Sequence, residues 1–183
     1  MKSVRGFTIV ELMVTLVILA IITMAAAPSF NNVIRSSRID SNLSKIRAGY
    51  SFARTEAGTR QEGVSICVAN SSLDDCATGT DWSGGWIVFT DTDNDIVYET
   101  SDGDTLLRIW EGVSDDFSLT GSASGYTFYD NGAAVEDPYS TSSFTSMKLT
   151  LTPDSCPTGE SLIREFSVVS AFGGTSTTTG TCP

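Results

Sequence analysis

Three aspartates at alternate positions, Asp91, Asp93 and Asp95, form the most pointed spacing in this chain of 183 residues. Oxygen ligands at positions one, three and five open a calcium-binding EF-hand loop. Position six would then be Ile96, where the turn calls for glycine, and position twelve Asp102, where glutamate is usual. A solvated acidic turn is therefore the favoured reading and calcium the lesser candidate, with no resident metal or cofactor expected. The chain has no histidine, which removes Ser-His and Cys-His nucleophile pairs. It also lacks a G-x-S-x-G elbow and a phosphate-cradling glycine loop, so no enzyme activity is expected.

The four cysteines, Cys67, Cys76, Cys156 and Cys182, lie too far apart for the usual two-to-four-residue zinc spacing. An even count in an oxidising compartment points to disulfides, and four cysteines allow three pairings. Loop locality favours Cys67 with Cys76 across a polar loop, and Cys156 with Cys182 tethering the tail. The Asn70-Ser71-Ser72 sequon and the Ser/Thr-rich tail "GTSTTTGT" are weak signals of modification.

One further carboxylate stands out by its surroundings. Glu11 interrupts a run from Phe7 to Ala27 that is otherwise apolar apart from three threonines. As a helix this run is about 31 Å long, enough to cross a bilayer core. An acid there costs about 2.5–3.5 kcal/mol, so it calls for a partner. Lys2 and Arg5 precede the run, which keeps the short N-terminus cytoplasmic and sends the rest outside. A cleaved secretory signal or a plain anchor would explain the apolar run. Pro28 disfavours cleavage after Ala27, and neither reading gives Glu11 a role.

The elements that must position these residues follow from periodicity. Ile39, Leu43, Ile46, Tyr50, Ala53 and Ala57 recur at spacings of four and three, one apolar stripe of an amphipathic helix continuing past a bend at Pro28. The stripe is too short for a coiled coil and seats a globular head instead. Gly58 and Gly63 bracket the expected helix end. Seven strands follow, at "VSICVA", "GWIVFT", "TLLRIW", "DFSLT", "YTFYD", "MKLTLT" and "REFSVVS". Trp86, Phe89, Trp110, Phe128 and Phe166 are the expected aromatic core. One long helix and then antiparallel strands make an α+β fold. The expected divisions are a leader at 1–6, a membrane helix at 7–27, its amphipathic continuation at 28–60 and an antiparallel β head at 61–183.

Charge is divided unevenly. The whole chain balances at −11, whereas Gln61–Pro183 holds three basic residues (Arg108, Lys148, Arg164) against 19 acidic ones, a balance of −16. Such a head repels nucleic acid, and none is expected as a partner.

"RGFTIVELMVTLVILAII" resembles the processing motif of type IV prepilins and pseudopilins. The resemblance implies cleavage between Gly6 and Phe7, methylation of the new Phe7 amine, and pairing of Glu11 with the amine of a neighbouring subunit. It also supplies the partners: a prepilin peptidase, an inner-membrane assembly platform, membrane lipid before assembly, and other minor and major pilins. "ARTEAGTRQEGVSICVAN" and "DWSGGWIVFTDTDNDIVYETSDGDTLLRIW" are similar to the GspH/FimT/FimU family of minor pilins and pseudopilins. That implies a minor type IV pilin, held in the bacterial inner membrane with its head in the periplasm, then found at or near the pilus tip. It would start pilus assembly and support adhesion or twitching. A GspH-like pseudopilin of type II secretion is the alternative. A DNA-capturing pilin is a third, opposed by the absence of any arginine after Arg164, where DNA-binding members of this family carry Gly-Arg-x-Arg.

Overall fold

The structure, a computed structural model, describes residues 7–129, 134–135, 146–169 and 174–183, with the side chains of 24–32 and 134–135 left aside. Helix α1 (Ile9–Arg60) precedes strands β1 (Val64–Val68), β2 (Gly85–Thr90), β3 (Thr105–Glu111), β4 (Phe117–Gly121) and β5 (Gly125–Phe128). Strands β6 (Ala134–Val135), β7 (Lys148–Pro153), β8 (Ile163–Val168) and β9 (Thr175–Gly180) complete the order. All pairings are antiparallel, in a five-stranded sheet ordered β3-β2-β1-β5-β6 and a four-stranded sheet ordered β4-β7-β8-β9. The expected α+β class is the observed one.

The chain forms two compact units, Met1–Asp40 and Ser41–Pro183. In the first, the described apolar side chains from Phe7 to Ile22 stand exposed, from 51% at Ile18 to 80% at Ile9. Among the described residues no helix is long and apolar enough to cross a membrane. The span expected at 7–27 lies only partly within them, and the side chain of Pro28, where a bend was expected, lies outside them.

In the second unit, Leu43, Ile46, Tyr50, Ala53 and Ala57 are all buried, so the expected stripe is the packed face of the helix. Tyr50 makes edge contacts with Phe128 at 5.4 Å and Phe166 at 5.6 Å, one ring from each sheet. Gly49 is required by close approach, because a Cβ there would sit 2.5 Å from Trp86 Nε1. The helix ends at Arg60, and the residue in the left-handed conformation after it is Gln61 (φ 59°), not a glycine. Gly63 serves packing instead, since a Cβ there would meet the Asp91 carbonyl at 2.6 Å.

The seven expected strands are present, and the five expected core aromatics are buried along with Trp82 and Tyr126. Two strands were not anticipated, β6 and β9. Strand β9, "TSTTTG", has no apolar residue to set a hydrophobic period, yet it pairs with β8 from Ile163↔Gly180 to Val168↔Thr175. β-branched threonines suit the extended backbone, and the register with β8 supplies the order that hydrophobicity does not.

Candidate functional site

The N-terminal residues singled out by sequence are Gly6, Phe7 and Glu11. Gly6 lies outside the described residues, and the Phe7 ring is 78% exposed. Glu11 has a local role. Thr8 precedes the first helical residue, and its amide and hydroxyl both donate to Glu11 Oε2 at 3.4 Å, while the Glu11 amide donates to Thr8 Oγ1 at 3.3 Å. This reciprocal arrangement is a capping box, and it satisfies amides that a helix start leaves without partners. The Thr8-x-x-Glu11 spacing was readable in the sequence and was missed there. It places a carboxylate in the first helical turn, where the helix dipole favours negative charge.

The three aspartates are brought together, with one oxygen of each within 4.8 Å of the others. Their environments differ. Asp91 is wholly buried, and its carboxylate accepts hydrogen bonds from the Ser65 hydroxyl, from Asp95 N at 3.1 Å, from Ile96 N at 3.0 Å and from Thr127 Oγ1 at 3.4 Å. Three of these bonds converge on Oδ2 and one on Oδ1, so Asp91 is the buried clasp of the turn, its carboxylate engaged by donors of its own chain. Burial pushes the Asp91 carboxyl above its ordinary value, against the hydrogen bonds from Ser65, Ile96 and Asp95 that lower it. Ile96 itself sits at φ 65°, a conformation costly for a β-branched residue, held by this clasp and by packing under Cys67, Ala69, Ile87 and Phe89.

On the outer side of the same turn, Glu99 is held above the usual carboxylate range, first by Asp102 and then by burial, Asp95, Asp93 and Asp104. Asp104, in contrast, is buried and accepts from Thr92 N and Glu99 N, both at 3.0 Å.

The cysteines are joined in the two local pairs, with Cα separations of 5.7 Å for Cys67–Cys76 and 5.4 Å for Cys156–Cys182. The first closes a loop in which the Asn70 side chain donates to Asp74 Oδ1 at 2.8 Å and accepts from Ser72 N and Asp74 N. The second holds the C-terminus, where Cys182 N donates to the Glu160 carbonyl at 2.8 Å.

Sequence reasoning did not single out Arg108. Its guanidinium carbon lies 4.8 Å from the Trp110 ring centre and 5.4 Å from that of Phe52, within cation–π range of both. The signal available was its rarity, as one of three basic residues beyond Gln61.

No site among the described residues assembles a nucleophile, a base and an orienting group. The arrangement offers instead an exposed apolar helix with one capped acid, and a head clasped by buried carboxylates and disulfides. Comparison with known proteins agrees with that division. The model of a prokaryotic N-terminal methylation motif matches residues 1–27, and the family model described as type II transport protein GspH matches residues 43–171. No curated protein sequence matches the chain. Among solved structures, the type IV minor pilin FimU of Pseudomonas aeruginosa is similar in fold in two crystal forms. One has 18% identity and a TM-score of 0.53, covering 79% of this chain and 90% of that one. The other has 19% identity and a TM-score of 0.52, covering 78% and 98%.

Proposed function

The chain belongs to the GspH family of minor type IV pilins and pseudopilins, and from that premise we propose that it is a minor type IV pilin that helps to start a pilus and stays at or near its tip. The family is structural, not enzymatic, and its members work by packing with other pilins. The observation that carries the proposal is Glu11, the one acid of residues 7–27, in the stretch of the helix whose described apolar side chains stand exposed. Such a surface needs lipid first and neighbouring helices later.

In this reading residues 1–6 are a leader, removed between Gly6 and Phe7 by a prepilin peptidase. Residues 7–27 hold the chain in the inner membrane, 28–60 continue the helix past Pro28, and 61–183 form the head on the periplasmic side. Assembly draws on an inner-membrane platform and delivers the subunit to the extracellular pilus, where adhesion or twitching follows. The freed and methylated Phe7 amine lies close to the capping box. Its positive charge pairs with a Glu11 carboxylate of the neighbouring subunit, so two charges that are costly in lipid offset each other and fix the register.

A second reading, a minor pseudopilin of a type II secretion system, is favoured by the description of the family model itself. The two share maturation and differ in the filament they enter. DNA capture is disfavoured by the −16 balance beyond Gln61.

Mass spectrometry of the membrane form tests the maturation on which both readings rest. We expect a chain beginning at methylated Phe7, and Glu11→Ala to leave cleavage intact while lowering incorporation into filaments at least about tenfold. A mature N-terminus at Pro28, or an intact Met1, removes the pilin reading. Scoring surface pili and protein secretion side by side in a deletion strain separates the two filaments.

A further inference from the structure

The two sheets end on four strands, β3, β6, β4 and β9, and three of these edges are blunted or covered. On β3 the register against β2 shifts between Val88 and Phe89, whose partners are Arg108 and Leu106. Leu107 is thus an extra residue, and a bulge of this kind twists an edge away from further pairing. On β4 the segment before β2 already lies alongside, with Trp82 N donating to the Leu119 carbonyl and Gly121 N to that of Thr80, both at 2.8 Å. Strand β6 pairs over two residues only. Strand β9 is different. It runs six residues against β8 without a shift, and carries no lysine, proline or bulge, the devices that usually close an edge.

The hydrogen bonds fix which groups of β9 stay free. Val168 N donates to the Met147 carbonyl at 2.9 Å, on the β7 side, and Val169 N to the Gly174 carbonyl at 2.7 Å, on the β9 side. The bonding side alternates from residue to residue in an antiparallel ladder, so Ser176, Thr178 and Gly180 bond to β8. Thr175, Thr177 and Thr179 turn their amides and carbonyls outwards, and nothing among the described residues takes them up.

A row of outward main-chain groups is matched by the main chain of an extended segment, which adds to a sheet edge as a further strand. The surroundings set its charge. No charged side chain occurs from Phe166 to Pro183, so an acidic chain meets least repulsion on this part of the acidic head. Thr177 pairs with Phe166, whose ring meets Tyr50, so the Thr177 side chain lies on the helix face of the sheet. There the exposed Arg47 donates from Nη2 to Thr177 Oγ1 at 2.9 Å, and no carboxylate among the described residues engages it. An added strand sets a side chain about 5 Å from Thr177 on that face, within reach of the guanidinium. We propose that β9 takes an extended segment of a different pilin subunit as a fifth strand, with a carboxylate of that segment on Arg47. Pairing of β9 with β9 of a second copy would close a two-fold dimer and use up the edge, so a minor subunit that joins other pilins offers it to a different chain. The contact rests on the filament reading above and deepens it by naming where a neighbour binds.

The experiment uses the full chain in its native membrane, with a photo-crosslinking residue in place of Thr178, whose side chain is exposed and whose amide stays bonded to β8. The expected result is a crosslink to a different pilin, mapping to one extended segment of it. Thr175→Pro with Thr179→Pro removes two outward amides, leaves the bonds to β8 in place, and lowers the yield at least about tenfold. Arg47→Glu lowers it too, and exchanging the acid of the crosslinked segment for lysine restores it. Formation of the Cys156–Cys182 bond, read by thiol alkylation, shows that each variant has folded at this end of the head. Where the proline variant fails to form that bond, the Arg47→Glu exchange decides alone. A crosslink to a second copy, absence of a crosslink to any pilin, an undiminished yield in the folded proline variant, or failed restoration overturns the proposal. N-terminal mass spectrometry of the same sample separates the two levels. Methylated Phe7 without the crosslink removes this contact alone, whereas an uncleaved chain removes the filament reading with it.

Discussion

The two sheets of the head solve the same problem in different ways. In the five-stranded sheet β1, β2 and β5 are buried at every position. Trp86 faces Gly49 of the helix, while Ile87 and Phe89 point the other way, into a cluster with Cys67, Ala69, Leu73, Tyr98 and Leu106. In the four-stranded sheet β4 and β7 alternate between buried and more exposed positions. Its outer face carries polar side chains in register, the hydroxyl pairs Ser118↔Thr152 and Thr120↔Thr150 and the pair Lys148↔Ser167, with Lys148 also bridged to Glu165 at 3.1 Å. The strands themselves carry little charge in either sheet, Arg108 and Glu111 in the first and Lys148, Arg164 and Glu165 in the second, while ten further acids of residues 61–112 lie in the loops around the first. A sheet covered on both faces must export its charge to loops. One open to water on one face keeps polar groups on the strands themselves.

The sharpest way to break this comparison is to substitute residues that face away from the helix in each sheet. Phe89→Ala should cost about 3–5 kcal/mol, because that face of β2 is core. Thr150→Ala should stay within about 0.5 kcal/mol. Urea unfolding followed by tryptophan emission measures both, since all three tryptophans, Trp82, Trp86 and Trp110, lie in the head. Equal costs would mean that the outer layer over β2 contributes no core.

The disulfides sharpen the contrast at the next level. Cys156–Cys182 spans 26 residues and Cys67–Cys76 nine. On the chain-entropy model their loss costs about 3.5 and about 2.7 kcal/mol respectively. The larger loss should fall on β9, which has few apolar contacts of its own. In Cys156→Ser with Cys182→Ser, amide hydrogen exchange should therefore speed up first across Thr175–Gly180. Uniform acceleration across both sheets would show that β9 is not the part held by the bond.

The same contrast explains what was legible beforehand. "GWIVFT" and "MKLTLT" read as strands because one is a continuous apolar run and the other a strict alternation. "TSTTTG" fits neither pattern, and its order comes from β8 and the disulfide, which a local reading does not see. The N-terminal motif was legible because its chemistry is local and linear. Arg108 was less so, because Trp110 is its neighbour on β3 but the Phe52 ring that meets both comes from the helix, far away in sequence. For the aspartates the spacing was visible, but the burial of Asp91 against Ser65 and Thr127 was not.

Asp91 gives the smallest and most specific prediction. It belongs to the doubly covered sheet, and its counterpart positions on the outer face of the other sheet are hydroxyls in water. Burial raises its carboxyl in the folded state, so the folded head binds that proton more tightly than the unfolded chain. Stability from this group is thus fully present below the ordinary aspartate value, and it is lost as pH rises through the raised one. Many other acids titrate in the same range, so the contribution has to be isolated by difference against Asp91→Asn, which cannot ionise. The stability of the native chain relative to that variant should fall as pH rises from about 3.5 towards neutrality, with a slope no steeper than about 1.4 kcal/mol per pH unit. The amide also replaces an acceptor oxygen with a donor that the Ile96 and Asp95 amides cannot use, which offsets the curves without changing their slope. Urea unfolding at four or five pH values reads the slope directly. A difference that rises with pH would mean that the hydrogen bonds outweigh burial and that the clasp prefers its charged form.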